Sequence, residues 1–150
     1  MDQALSIELI RRDWAAFVRQ TRLLGLGRPV RHGTRIDLVV RPLGADEDFR
    51  AVLFCNDYDA RPPLLDFANP ARPDEVGPAF WPRIQNAPVT SVAIEGRSVP
   101  MICTPGTLGY HVHSSHSAEA HPRETWRLAS VASILHRFLN KMGPYEGRGV

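Results

Sequence analysis

Residues 34–70 read TRIDLVVRPLGADEDFRAVLFCNDYDARPPLLDFANP, and the fold turns on how this stretch is parsed. RIDLVVRPL alternates and is rich in Val, Ile and Leu, and FRAVLFCN alternates again. GADED lies between them as a turn, so the pair predicts an antiparallel hairpin. YDARPP is a breaker, because Pro62 and Pro63 have no N–H to give to a sheet ladder. LLDFAN then predicts a short third strand.

Working outward, apolar residues upstream fall at Ile7, Ile10, Trp14, Phe17 and Val18, steps that mark an amphipathic helix over about residues 4–24. Gly25, Gly27 and Pro29 end it. Downstream, residues 68–88 read as irregular and proline-rich (Pro70, Pro73, Pro78, Pro82, Pro88), long for a compact domain and so expected to be a functional loop. VTSVAIEGRSVPMIC predicts a second hairpin turning at Glu95–Gly96. TWRLASVASILHRFL predicts a helix that buries Leu128, Val131, Ile134, Leu135, Phe138 and Leu139. The tail, residues 143–150, is expected to be flexible. Strands flanked by helices argue for an α+β fold in one domain spanning 1–150.

The totals set bounds. A chain of 150 residues that is 43% hydrophobic and 23% charged suits one globular domain. A net charge of +2 is too weak to argue for nucleic acid. Arg11, Arg12, Arg19 and Arg22 cluster on the first helix, either as a solvated face or as a dock for an acidic protein. No run of eighteen apolar residues suggests a membrane span, and no basic-then-apolar N-terminus suggests a secretion signal. Two cysteines make no disulfide framework, so a cytoplasmic chain with reduced thiols is the expectation.

The chemistry-bearing stretch is MICTPGTLGYHVHSSH, residues 101–116. Cys103 ends a predicted strand and enters a Thr-Pro-Gly turn, where a thiol can be exposed and nucleophilic. Cys55 lies within an alternating strand and reads as a small core residue. The histidines have three readings. One of them serves Cys103 as acid or base; or His111, His113 and His116, with His121 or Glu119, form a zinc site; or the segment is a solvated polar loop. Asp57 and Asp59 read as turn-formers. No phosphate-cradling glycine loop or nucleotide motif is visible, so no cofactor is expected.

The order of these pieces resembles that of ubiquitin-conjugating enzymes, and more closely their short bacterial relatives. Tyr58, Pro62, Pro63 and Phe67 match the family's Tyr-Pro-x-x-Pro-Pro turn and the strand after it. WPRI (Trp81 to Ile84) stands where the family has His-Pro-Asn-Ile, and Met101-Ile102-Cys103 where a strand ends in Ile-Cys. Trp126 and SILHRFL match the closing helix. The resemblance covers about residues 4–140 and implies a UBC-like fold: N-terminal helix, antiparallel β-meander, active-site loop, C-terminal helix.

It also implies that Cys103 accepts a ubiquitin-like protein from an activating enzyme as a thioester and passes it to an amine on a target protein. No nucleic acid or membrane partner is implied. Bacterial relatives sit in conjugation operons, several of them serving antiphage defence. Trp81 and Arg83 replace the His and Asn of His-Pro-Asn; the family's asparagine supports the oxyanion, and Asn86 is the nearby substitute. The implied catalytic set is Cys103 with His111, His113 and Asn86. Trp81, Arg83 and Tyr110 are candidates for substrate contact. Two alternatives remain open: an inactive adaptor of the same fold, and a metal-dependent hydrolase built on His111, His113 and His116.

Overall fold

The alternation at 35–54 becomes a regular hairpin in the computed structural model, which describes residues 2–87 and 89–150. β2 (Arg35–Val40) pairs antiparallel with β3 (Phe49–Phe54), from Arg35 opposite Phe54 to Val40 opposite Phe49. β4 (Leu64–Ala68) continues the meander on the far side of β3, and β1 (Val30–His32) adds a fourth strand beside β2. α1 (Gln3–Leu23) precedes this sheet, and its first turn is capped by the Asp2 carboxylate, which accepts from the Ala4 N–H at 3.1 Å. α3 (Leu128–Lys141) follows and packs against α1. The architecture is α+β, with an N-terminal helix, a four-stranded antiparallel sheet and a C-terminal helix.

The buried stripe of α3 is close to the expected one: Leu128, Val131, Leu135, Phe138 and Leu139 are buried, with Ile134 at the margin. α1 differs. Its buried residues are Ser6, Ile10, Asp13, Phe17 and Thr21, while Ile7, Trp14 and Val18 are half-buried. The helix is rotated toward its polar residues because each finds a partner inside. Ser6 donates to the Asn56 carbonyl at 2.8 Å, and Thr21 to the Val18 carbonyl at 2.9 Å. Asp13 accepts from the buried Tyr58 hydroxyl at 2.6 Å, and that hydroxyl accepts from the Leu128 N–H at 3.1 Å. Tyr58 therefore ties α1 to α3. Burial alone would raise the Asp13 carboxyl, but hydrogen bonds from Arg12 and Tyr58 outweigh it and hold it below the usual range. Arg12 turns inward to Asp13 and Asp59, both at 2.8 Å, so half of the expected basic face is neutralised: Arg11 also pairs with Glu8.

The proline-rich segment is less irregular than its composition predicts. It carries a 3-10 turn at Pro78–Phe80 and then β5 (Pro82–Ile84); Pro88 lies outside the described residues. The tail expected to be flexible instead carries β8 (Tyr145–Arg148), paired antiparallel with β5. Glu47 secures it. That side chain accepts from the Tyr145 hydroxyl and from Arg148 at 3.0 Å, while the Arg148 guanidinium sits 4.1 Å from the centre of the Phe49 ring.

The second hairpin forms as expected, with β6 (Val89–Ile94) against β7 (Arg97–Ile102) and Glu95–Gly96 at the turn. Cys55 is 1% exposed in the core, and burial pushes its thiol well above the ordinary range. Cys55→Ala is accordingly expected to cost about 1 kcal/mol in urea unfolding and to leave Cys103 chemistry intact. A folded Cys55→Ala protein with an inert Cys103 would contradict this assignment.

Candidate active site

The site is built where β7 runs out. The Thr104 N–H returns to the Ile102 carbonyl at 2.8 Å, a tight corner that leaves Cys103 exposed. The chain then doubles back against the fold. A Cβ on Gly106 would meet Ile134 Cδ1 at 2.3 Å and the Thr125 carbonyl oxygen at 2.7 Å, and its φ of +129° also favours glycine. A Cβ on Gly109 would meet Met101 Cβ at 2.6 Å. Gly109 lets the short helix α2 (Leu108–Val112) lie directly on β7, while Gly106 lets the loop before it pack on Ile134 and Thr125. Its start is held by the Leu108 N–H, which donates to the Pro63 carbonyl at 2.8 Å. The proline breaker, directly before β4, thereby supports the site as well.

Beyond α2, turns return the chain to Cys103. The N–H groups of His116 and Ser117 both donate to the His113 carbonyl at 2.9 Å, and Glu119 N–H donates to the His116 carbonyl at 3.0 Å. His116 Nε2 then lies 3.5 Å from Cys103 Sγ, and His116 Nδ1 lies 2.8 Å from Glu119 Oε1. The other Glu119 oxygen accepts from the Tyr110 hydroxyl at 2.7 Å and meets His121 Nε2 at 3.0 Å. The Tyr110 ring stacks on His116, with centroids 4.1 Å apart and planes 12° from parallel. Hydrogen bonds from His116, Tyr110 and His121 pull the Glu119 carboxyl down to about 2, so it is ionised throughout the neutral range. The bond to Glu119 pushes the Tyr110 phenol up to about 12, which keeps it a donor. The result is a chain of thiol, imidazole and carboxylate in hydrogen-bonding order.

The imidazole beside Cys103 is His116, whereas the implied catalytic set names His111 and His113. His111 turns inward: its Nε2 accepts the Gly106 N–H at 3.1 Å, and its ring stands edge-on to Trp126 at 5.1 Å. His113 Nδ1 accepts the Ser115 N–H at 3.2 Å. The three histidines thus face three different partners, and among the described residues no group of three His, Cys, Asp or Glu is placed to hold a metal ion. Trp81 is fully buried, donating to Asp66 Oδ1 at 2.8 Å, so its place is the core and not a substrate surface. Arg83 is exposed on β5 and donates to the Glu146 carbonyl at 2.7 Å. Asn86 occupies a left-handed turn residue at φ +59°. Among the described residues neither hydrogen-bonds to the Cys103 cluster. Tyr110 belongs to the cluster, through Glu119 and the stack on His116.

His111 gives the site a pH-dependent element. Burial, with His121 nearby, holds its imidazole below the ordinary range. A depressed imidazole contributes stability above the unfolded value of about 6.5 and loses it as pH falls through the folded value. His111→Leu leaves the Gly106 N–H without its acceptor and is expected to cost about 1–3 kcal/mol at pH 7.5. The gap to wild type should narrow at pH 5, below the ordinary imidazole value, where the unfolded chain's imidazole is charged and the folded one resists charging. Paired thermal melts at the two pH values test this, and a gap that widens on acidification contradicts it.

No family model matches the chain, and no curated protein matches it.

Proposed function

We propose that this protein is an acyl-transfer enzyme of the ubiquitin-conjugating type, in which Cys103 accepts a ubiquitin-like protein as a thioester and passes it to an amine. The observation that carries the reading is the exposed Cys103 thiol 3.5 Å from His116, itself oriented by Glu119 at 2.8 Å. The order of elements and motifs that resembles the family supports the choice of acyl group.

The chemistry follows from these groups. Neutral His116 takes the thiol proton, and the thiolate attacks the donor thioester carbonyl. The donor sulfur leaves with the proton from the imidazolium, and the acyl group rests on Cys103. An acceptor amine then attacks the same carbonyl, gives its proton to His116 and expels the Cys103 thiolate. Glu119 fixes the ring and stabilises the imidazolium formed in each half, as a carboxylate behind an imidazole does elsewhere. Thiolate is both nucleophile and leaving group, so one residue performs both steps and the energy arrives in the donor's thioester. The partners are an activating enzyme, a ubiquitin-like protein and a target protein, in a cytoplasmic conjugation pathway such as an antiphage operon.

The test is incubation with a bacterial activating enzyme, ATP and that enzyme's ubiquitin-like protein. Wild type is expected to gain one adduct that thiol reductant removes. Cys103→Ala should match wild type by circular dichroism and gain none. An adduct that survives in Cys103→Ala, or neither an adduct nor Cys103-dependent consumption of the charged donor in wild type beside a demonstrably charged activating enzyme, overturns the reading and leaves the adaptor.

A further inference from the structure

The hydrogen-bond order of the cluster settles where the imidazole proton lies. Glu119 is a carboxylate, which only accepts. Its Oε2 takes Tyr110 and His121, and its Oε1 takes His116 Nδ1. Neutral His116 therefore carries its proton on Nδ1 and turns an unprotonated Nε2 toward Cys103. Tyr110 stacked on the ring at 4.1 Å holds it there. When an acyl group sits on the sulfur this base remains beside it, within one water molecule's reach of the thioester carbonyl, and the exposed setting of Cys103 admits that water.

We propose that Cys103 and His116 hydrolyse the thioester they form, making the protein a thioesterase as well as an acyl carrier; this rests on reading Cys103 as the acyl-accepting nucleophile. Water attacks the carbonyl carbon of the Cys103 thioester while His116 Nε2 takes its proton. The new C–O bond forms, the C–S bond breaks, and its electron pair goes to sulfur. The imidazolium returns the proton to the thiolate, so thioester plus water gives carboxylic acid plus free Cys103. The substrate class is a thioester of an unhindered carboxyl terminus, such as one ending in glycine. An amine must be seated to compete, so the charged state lasts only until an acceptor or water arrives.

The probe is the benzyl thioester of N-acetylglycine, mixed with the full-length protein at neutral pH. Chromatography follows N-acetylglycine, and intact mass follows acyl-protein. Wild type is expected to release many equivalents of acid at a steady rate. Folded Cys103→Ala should release none above background. His116→Ala and His116→Gln should hydrolyse about 10²–10⁴-fold more slowly, and once acylated at high thioester concentration should hold the acyl group on Cys103 far longer than wild type. Glu119→Gln should fall between. If wild type releases no acid above background and accumulates one equivalent of acyl-Cys103 with the lifetime seen in His116→Ala, the hydrolysis proposal falls and the carrier reading stands. If folded wild type takes no acyl group from the probe, both fall.

Discussion

Trp81→Ala is expected to remove about 3–5 kcal/mol of stability, enough to leave a domain of ordinary stability barely folded. The indole is 0% exposed, with ring centres 4.9 Å from Phe67 and 6.0 Å from Phe138, so truncation opens a cavity between the sheet and α3. It also strips a donor from Asp66, which is itself fully buried and accepts from the Phe67 N–H at 2.9 Å and from Arg97 at 2.8 Å. Trp81→Phe keeps much of the volume and loses the N–H, so about 1–3 kcal/mol is expected. Urea midpoints for the pair separate a core residue from a surface one. A substrate-contact role would instead leave the midpoints unchanged and weaken binding.

The second large effect concerns transfer. His116→Ala is expected to slow both charging of Cys103 and delivery of the acyl group to an amine by about 10²–10⁴-fold. His113→Ala should change these rates little, since His113 spends its Nδ1 on the Ser115 N–H. Single-turnover charging and discharge of both variants tests the pair of claims. Equal slowing in both would reduce the histidines to a shared role in loop shape.

These two predictions mark where the sequence is legible and where it is not. Period carries the strands at 35–54 and the stripe of α3, because apolar residues there point inward whatever their distant partners are. The same rule misplaces the face of α1. Ser6 and Asp13 are buried through Asn56 and Tyr58, residues 50 and 45 positions away, and no local pattern encodes such partners. The C-terminal strand is hidden for a like reason: Gly143, Pro144 and Gly147 read as a frayed end, while its anchor, Glu47, lies in a turn about 100 residues earlier.

At the site, Cys103 stands out by its position between a strand and a Thr-Pro-Gly turn, but the choice among four nearby histidines does not. His111 is nearer in sequence, yet Gly109 lets α2 pack on β7 and the His111 ring turns inward to accept the Gly106 N–H. The available signal was His116 three residues before Glu119, a spacing that lets a single turn join an imidazole to a carboxylate. Trp81 shows the opposite error. It replaces a motif histidine in the resemblance and so reads as functional, whereas its hydrogen bond to a buried carboxylate makes it structural.

The central claim is that His116, held by Glu119, makes Cys103 a working nucleophile, and it can be measured without any partner. Iodoacetamide labelling at pH 7, followed by peptide mass mapping, gives separate rates for Cys103 and the buried Cys55. Cys103 is expected to label rapidly in wild type and about tenfold or more slowly in His116→Ala, with Cys55 slow in both. Equal Cys103 rates in folded wild type and His116→Ala would contradict the account.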